Sequence, residues 1–188
     1  MALVREVDID ELVAENKRRY DEIYGTYDPW TGEGCYDFEH RELLELPDFM
    51  IPKMWVPKEC MRTLLYRGLK QLGSMKKYII EAWGKQYEEK SYYTRQLKMV
   101  LTFEIMKVRF REDPEFALYA TDKIEDKVSG DMIPFKLNYP QRKLLKIFED
   151  LRTSGRAIRV VILKARQWGG STLTQLYIKW LQDFRKDG

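Results

Sequence analysis

A short β-branched run, followed at once by a glycine-containing loop and an amphipathic helix, most constrains the fold of this chain. The run is residues 158–163 of RAIRVVILK, and its composition is typical of a buried parallel strand. The loop is residues 164–172, KARQWGGST. After the loop, one helix face carries Leu173, Leu176, Tyr177, Trp180, Leu181 and Phe184. Strand, glycine loop and helix in this order bind phosphate through backbone N–H groups and the helix N-terminus.

The loop departs twice from the usual phosphate-binding pattern G-x-x-x-x-G-K-[ST]. Gly170 occupies the lysine position, and Lys164 occupies the position of the first glycine. Because the ends of such a loop converge around the phosphates, the long side chain of Lys164 can reach the site left empty at Gly170. The hydroxyl of Ser171 stands where a magnesium ligand is expected. Thr172 is expected to bond a neighbouring phosphate or to cap the helix.

The run LKARQWGGSTL, preceded by IPFKLNYPQRKLL, resembles the ATPase segment of tailed-bacteriophage terminase large subunits, closest in form to those of crAss-like and related gut phages. The resemblance covers residues 132–181 and extends more weakly back to residue 116. It implies a DNA-packaging motor that uses ATP and Mg²⁺ to move double-stranded DNA into a procapsid. It also implies that Gln141 recognises adenine, which suits an amide that donates and accepts hydrogen bonds.

The same resemblance implies the remaining site residues. Tyr139 is a candidate to flank the base, although packing or surface roles are at least as common for Tyr139 and Arg142. Lys164 and Arg166 are the catalytic candidates, and a guanidinium suits the oxygens of a γ-phosphate. The loop residues expected around the nucleotide are Lys164, Ala165, Arg166, Gln167, Trp168, Gly169, Gly170, Ser171 and Thr172.

The partners implied by the resemblance are double-stranded DNA, the portal protein, the small terminase subunit and further copies in a ring. The implied location is the cytoplasm of an infected bacterial host. Residues 1–130 hold 21 Lys and Arg against 25 Asp and Glu, whereas residues 131–188 hold 12 against 5. The basic end therefore coincides with the phosphate loop and suits contact with a polyanion. Charges interrupt every apolar run, so we expect no membrane segment.

The predicted fold class is α/β, with an incomplete P-loop NTPase core of β-hairpin, helix, P-loop strand and helix. Residues 1–112 are predicted to form a mainly helical region, with an extended Pro-rich segment at 25–57. Within it, one helix face is expected to bury Met61, Leu64, Leu65, Leu69 and Leu72. Residues 113–188 are predicted to begin the ATPase domain, with strands at 117–127 and 132–137 around Gly130 and a helix at 141–152.

Hydrolysis by this fold needs a second strand ending in carboxylates that hold magnesium and activate water. Sixteen residues follow Thr172, and none forms such a strand. We therefore expect the chain to be the N-terminal part of a longer motor, with a nuclease domain downstream, and to be inactive alone. Two alternatives stay open: another P-loop translocase or helicase, and a docking module whose degenerate loop binds no nucleotide.

Overall fold

The computed structural model describes residues 9–24, 27–35, 40–126, 129–163 and 168–185. The elements, in chain order, are α1 (Ile9–Tyr24), β1 (Arg41–Glu45), β2 (Lys53–Pro57), α2 (Lys58–Met61), α3 (Leu64–Leu72), α4 (Met75–Lys77), α5 (Tyr92–Glu112), α6 (Pro114–Thr121), β3 (Lys123–Glu125), β4 (Met132–Pro134), α7 (Tyr139–Thr153) and α8 (Gly170–Phe184). A π-helical turn, Tyr78–Ala82, continues α4. The fold is mixed α/β and mainly helical, with two small antiparallel sheets in the described part of the chain.

The Pro-rich segment at 25–57 contains a β-hairpin that contributes side chains to the core. The spacing of its prolines did not predict this hairpin. β1 and β2 pair in antiparallel register, with Leu43 opposite Trp55, and they bury Leu44, Met54 and Val56. Before the hairpin, a tight turn brings Gly32 against the second strand. Gly32 has φ 80°, and a Cβ there would lie 1.9 Å from the Trp55 carbonyl oxygen, so the turn requires glycine.

Helices α2 to α5 and the first hairpin enclose the first hydrophobic core. The core side chains include Leu44, Tyr66, Leu69, Leu101 and Ile105. The expected helix is present over Leu64–Leu72 and ends at Gly73, which has φ 64°, whereas Met61 lies in the separate short helix α2. The expectation that Leu64 is buried is wrong, because Thr63 caps the helix and the first turn leaves Leu64 80% exposed. Tyr66 is buried in its place and donates a hydrogen bond to the Ile105 carbonyl oxygen.

The prediction of a strand over residues 117–127 is wrong for its first half. Asp113 accepts a hydrogen bond from the backbone N–H of Phe116, and Pro114 occupies the first turn, so a new helix, α6, begins there and continues to Thr121. The predicted hairpin is confirmed only over β3 and β4, where Ile124 lies opposite Ile133. A proline at the first helical position explains the difference, because its fixed φ favours a helix start.

Helices α6, α7 and α8 enclose a second hydrophobic core. The predicted helices around residues 141–152 and after Gly170 are confirmed, and the predicted α8 stripe contributes Leu173, Tyr177 and Trp180 to this core. The Trp180 indole N–H donates to the Phe110 carbonyl oxygen at 2.8 Å, and Phe184 stacks on Phe110. Both contacts attach α8 to the end of α5. The division of the chain into domains near residue 112 stays a prediction.

The prediction of a buried parallel strand over residues 158–163 is wrong for this structure. The segment forms no strand, and Val161 and Leu163 are 91% and 97% exposed. A strand needs a neighbouring strand to satisfy its backbone groups, and the described residues supply none here. The proposed P-loop core therefore lacks its sheet in the described part of the chain.

Among the described residues, none of the helices combines the length and the apolar character that are needed to cross a membrane.

Candidate functional site

The site begins at the N-terminus of α7, where Asn138 and Gln141 form a capping box. The Asn138 side-chain oxygen accepts from the backbone N–H of Gln141 at 3.0 Å, and Gln141 Oε1 accepts from the backbone N–H of Asn138 at 2.9 Å. The side chain of each residue therefore binds the backbone of the other, which satisfies two N–H groups that a helix start leaves open. Gln141 is buried, so the box holds its amide in one orientation.

The donor atoms of the same two side chains hold the glycine loop. Asn138 Nδ2 donates to the Trp168 carbonyl oxygen at 3.1 Å, and Gln141 Nε2 donates to the Gly169 carbonyl oxygen at 3.0 Å. Two consecutive carbonyl groups immediately before α8 are thus attached to the start of α7. We call Asn138 and Gln141, with these four hydrogen bonds, the amide clamp. The predicted adenine-recognising residue and the predicted phosphate loop therefore lie in contact.

The geometry of the loop requires both glycines. Gly169 has φ 78°, and a Cβ there would lie 2.5 Å from Gln141 Nε2. A Cβ on Gly170 would lie 2.6 Å from the Trp168 indole ring. Because any side chain at either position would collide with its neighbour, the backbone approaches the clamp and the indole more closely than other residues allow.

Helix α8 begins at Gly170, directly after the loop. Its N-cap residue, Gly169, provides no side chain to cap the first turn. Ser171 and Thr172 lie in that turn and are exposed to solvent. An uncapped helix start presents backbone N–H groups and a partial positive charge, the features that bind phosphate. Ser171, the predicted magnesium ligand, therefore lies in the exposed first turn of α8.

The predicted residues Lys164, Ala165, Arg166 and Gln167 lie outside the described residues. Their assigned roles, including the relocation of the lysine from Gly170 to Lys164, stay predictions. Trp168 is described, and its side chain is half-buried against the second core.

An apolar groove lies beside the clamp, between α7 and the extended segment 158–163. Its volume is about 480 Å³. The lining residues are Pro140, Lys143, Leu144, Ile147, Val160, Val161, Ile162, Leu163 and Trp168. At its α7 end, the Lys143 ammonium lies 4.3 Å from the centre of the Tyr139 ring. Such a groove, with a cation and ring at one end, has the chemistry to hold a planar base.

Arg142, the residue after Gln141, belongs to a buried cluster of charged side chains. Its Nε lies 3.5 Å from a Glu115 carboxylate oxygen, its guanidinium donates to the Gly34 carbonyl oxygen, and it covers the Tyr27 ring at 4.5 Å. Of the packing and surface alternatives for Arg142, the structure shows packing. It connects the start of α7 to the N-terminal turn and to α6.

The rest of this cluster is centred on Arg41 and Asp113. The Arg41 guanidinium binds both Asp113 oxygens at 2.9 Å and one Glu115 oxygen at 3.3 Å. Arg109 adds a second cation, with its Nε 3.5 Å from Asp113. We call Arg41, Arg109, Asp113, Glu115 and Arg142 the buried ion cluster. Paired and hydrogen-bonded charges of this kind are the form in which burial is tolerated.

The two carboxylates of the cluster have opposite pKa shifts. Burial raises the pKa of Glu115 to about 7, and the nearby charges of Arg41 and Arg142 only partly oppose this effect. Burial would also raise the pKa of Asp113, but the charge and hydrogen bonds of Arg41 hold that pKa below its usual value. Burial raises the pKa of the Tyr27 phenol and of the Cys35 thiol, and the negative charge of Glu115 raises both further. Glu115 is therefore the cluster's proton-binding residue near neutral pH.

A second set of buried polar contacts supports the core face of α8. The Tyr177 hydroxyl donates to Glu149 Oε1 at 2.6 Å, and Arg152 binds both Glu149 oxygens. Burial raises the pKa of Tyr177, and the neighbouring Glu149 charge raises it further, so the phenol stays protonated. These bonds attach the middle of α8 to the end of α7. The amide clamp binds the loop before α8 to the start of α7. Together with the clamp, these bonds attach α8 to both ends of α7.

Among the described residues, no group of three or more His, Cys, Asp or Glu side chains could hold a metal ion. The role of Ser171 as a magnesium ligand stays a prediction. Comparison with protein-family profiles, curated proteins and solved structures gives no match.

The sequence analysis missed one site residue, Asn138, and the ring position of another that it named, Trp168. Asn138 could have been found, because N-x-x-Q before an apolar helix is a capping-box pattern. The position of the Trp168 ring over Gly170 had no sequence signal, since it depends on the packing of two helices.

Proposed function

We propose that this chain is the ATP-binding N-terminal part of a viral DNA-packaging motor of the terminase large-subunit type. The observation that carries the proposal is the hydrogen bond between Gln141 Nε2 and the Gly169 carbonyl oxygen. This bond joins the predicted adenine-binding residue, Gln141, to the predicted phosphate loop, 28 residues later in the chain. The proposed function requires both to act on one nucleotide. The open start of α8 and the adjacent apolar groove support the same reading.

In the proposed site, the α8 N-terminus holds phosphates and the groove receives the base. The bound Mg²⁺ would supply charge neutralisation of the phosphate oxygens. Gln141 uses Oε1 and Nε2 in the clamp, yet an amide has two N–H groups and two lone pairs on oxygen. One N–H group and one oxygen lone pair of the Gln141 amide therefore remain to bind the edge of an adenine.

The test is the base selectivity of nucleotide binding. We expect MgATP to bind more tightly than MgGTP, as measured by isothermal titration calorimetry. Gln141→Glu keeps the acceptor in the capping box but removes the amide donors, so the ATP-to-GTP affinity ratio should fall by about tenfold, the effect of one lost hydrogen bond. Equal loss of affinity for both nucleotides would show that Gln141 acts only on loop structure.

Lys164→Ala tests the proposed catalytic cation in the proposed full-length motor. The lysine is expected to contact the γ-phosphate most strongly as charge develops there, so turnover should fall on the order of a hundredfold or more, while ADP binding changes much less. Steady-state ATPase assays and ADP titration measure the two effects. The control is Lys85→Ala, at an exposed position between α4 and α5.

A parent-like ATPase rate for Lys164→Ala would transfer the catalytic role to Arg166. Restoring the usual pattern with Gly170→Lys does not serve as a rescue, because its Cβ would collide with the Trp168 ring.

The Trp168 ring also favours a second candidate function. The indole occupies the space into which a lysine at position 170 would extend. A loop shaped by this contact could serve as structure alone, in a docking module that binds no nucleotide. Absence of ATP binding by this chain would support this alternative.

A further inference from the structure

The N-terminal turn, residues 27–35, is a compact unit that lies against the start of α6. Its backbone closes on itself, because the Asp28 N–H donates to the Glu33 carbonyl oxygen at 2.8 Å. The Asp28 carboxylate also accepts from the Thr31 hydroxyl at 2.7 Å. On its inner side, the Trp30 ring lies 5.5 Å from the ring of Phe116 in α6. Bonds within the turn therefore allow it to move as one piece.

Three donors from other elements hold the turn by its carbonyl groups. They are the Trp55 N–H to Thr31 at 2.7 Å, the Arg109 guanidinium to Pro29 at 3.2 Å, and the Arg142 guanidinium to Gly34. Two of these three donors belong to arginines of the buried ion cluster. Attachment of the turn therefore depends on how the charges of the cluster are arranged.

The carboxyl group of Glu115 lies beneath the two ends of the turn. Glu115 is fully buried, and the side chains of Tyr27 and Cys35 are 4% and 2% exposed. The negative charge of Glu115 raises the pKa of both the Tyr27 phenol and the Cys35 thiol, so all three groups are close together. The charged and titratable groups around Glu115 and its neighbour in the cluster are Asp113 on α6, Arg41 on β1, Arg109 on α5, Arg142 on α7, and Tyr27 and Cys35 in the turn.

The closed turn buries polar atoms that it does not satisfy. The Tyr27 hydroxyl, Arg109 Nη1 and Arg142 Nε are buried, and none of them forms a hydrogen bond within the described part of the chain. A buried donor without an acceptor costs its full desolvation free energy, which contact with water would return. These three atoms lie in the turn or in the two arginines that hold it. Their burial therefore favours opening of the turn over opening of the hydrophobic cores.

We propose that the N-terminal turn is a proton-operated strap, which closes over Glu115 when that carboxyl group is protonated and opens when it ionises. The closed turn keeps water away, and burial disfavours the ionised form of a carboxyl group. Arg41 opposes this effect only in part, because it also binds both oxygens of Asp113. This inference is independent of the proposed nucleotide site.

The direction of the pH dependence follows from the two states of the turn. The pKa of Glu115 is about 7 when the turn is closed, and it falls towards the ordinary value of 4.5 when water reaches the group. Closure therefore takes up a proton between these two pH values. The closed turn is favoured at the acidic end of this window, and opening increases as pH rises towards 7.

The experiment measures how fast the thiols of the full chain react with dithiodipyridine, and mass spectrometry identifies the labelled cysteine. The protection of each thiol is its rate in the urea-unfolded chain divided by its rate in the native chain at the same pH. We expect the protection of Cys35 to fall by about tenfold per pH unit between about pH 5 and 7 and to level off above. Cys60, fully buried in the first core, reports global unfolding and should be protected at least about tenfold more than Cys35.

Glu115→Gln should remove the pH dependence of Cys35 protection, because its amide is neutral at every pH. His40→Gln is the control, since it removes the chain's one histidine and should leave that dependence unchanged. Tyr27→Phe removes a hydroxyl that closure buries without a partner, so it should raise Cys35 protection by about three- to tenfold at every pH. Equal protection of Cys35 and Cys60 at every pH would overturn the proposal, as would a slope that persists in Glu115→Gln or disappears in His40→Gln.

Discussion

At the scale of single residues, Asn138 and Gln141 show how one side chain can serve two parts of a fold. Each uses its oxygen to start α7 and its nitrogen to hold the loop before α8. An amide is the side chain that can do both at once, because it carries an acceptor and two donors. A carboxylate of the same shape retains the first task and loses the second.

Asn138→Asp separates the two tasks of the clamp. The carboxylate still caps α7 and favours the positive end of the helix. It can no longer donate to the Trp168 carbonyl oxygen, so the loop should be held less firmly while α7 is unaffected. We expect amide hydrogen exchange at residues 169–172 to accelerate by about three- to tenfold, the equivalent of one lost hydrogen bond.

Exchange within α7 is the internal control for that variant. Equal acceleration in α7 and in the loop would show that the replacement damages the helix start, and unchanged exchange in both would show that the Asn138 to Trp168 bond contributes nothing.

At the scale of elements, the buried ion cluster connects the first hairpin, α5, α6 and α7. Arg41 precedes its partner Asp113 by 72 residues. Sequence analysis could not find this pairing, because charged residues far apart in the chain carry no spacing signal. The cluster also explains why Asp113-Pro114 marks more than a helix boundary: the same carboxylate caps α6 and neutralises Arg41.

Glu115→Gln should change how stability depends on pH. The folded protein binds the Glu115 proton more tightly than the unfolded chain does, so this residue stabilises the fold below about pH 4.5. That contribution is lost as pH rises towards 7. Relative to the variant, the parent should therefore lose on the order of 1 to 3 kcal/mol across this window, since one pKa unit corresponds to about 1.4 kcal/mol.

Urea unfolding at a series of pH values measures this slope, and Glu81→Gln at an exposed position of the π-helical turn is the matched control. Parallel curves for the parent and Glu115→Gln between pH 4.5 and 7 would show that Glu115 titrates alike in the folded and unfolded chain. The contribution of Asp113 lies in a separate, more acidic window, because its pKa is lowered and its stabilisation is lost as pH falls.

The helices were the elements best predicted from sequence. Their apolar periodicity and caps are local, so α3, α7 and α8 were predicted near their observed bounds. The strands depended on partners. The strand predicted from the β-branched composition of residues 158–163 is wrong, because no neighbouring strand in the described chain completes it. The first hairpin was missed, since prolines flank β2 and interrupt the alternation by which strands are found.

The candidate site was predicted in part for the same reason. The glycine pair was identified from motif spacing, which is a local signal, and Gln141 from the resemblance, and the roles of both stay predictions. Their contact through the amide clamp depends on how α7 and α8 pack, which the motif does not encode. The roles assigned to Lys164 and Arg166 depend on the resemblance and stay predictions.

At the scale of the whole molecule, the two cores are joined by contacts that cross residue 112. The first core lies within residues 44–105. Arg41 and Arg109, on either side of that range in the chain, both bind Asp113, which lies beyond residue 112. We therefore predict that a segment of residues 1–111 is helical by circular dichroism but less stable than residues 1–122. The expected difference is about 3 to 5 kcal/mol, the effect of leaving a buried charge without its partner.

Asp113→Asn within residues 1–122 is the control, because it keeps α6 and removes only the charge. If Asp113→Asn is as stable as the parent segment 1–122, the difference in stability between residues 1–111 and 1–122 comes from α6 packing and not from the ion cluster. A random-coil spectrum for residues 1–122 would show that these helices depend on the remainder of the chain.

The exposed segment 158–163 has a consequence for the behaviour of the protein at high concentration. Its backbone groups face solvent beside Val161 and Leu163, and its composition suits stacking into cross-β fibrils. Such stacking adds copies without limit, because each added copy presents a new unpaired strand edge. Arg159 interrupts the apolar run and acts as a gatekeeper, because stacked copies would bring like charges together. Low salt, which leaves that repulsion unscreened, is therefore the condition that keeps the chain soluble.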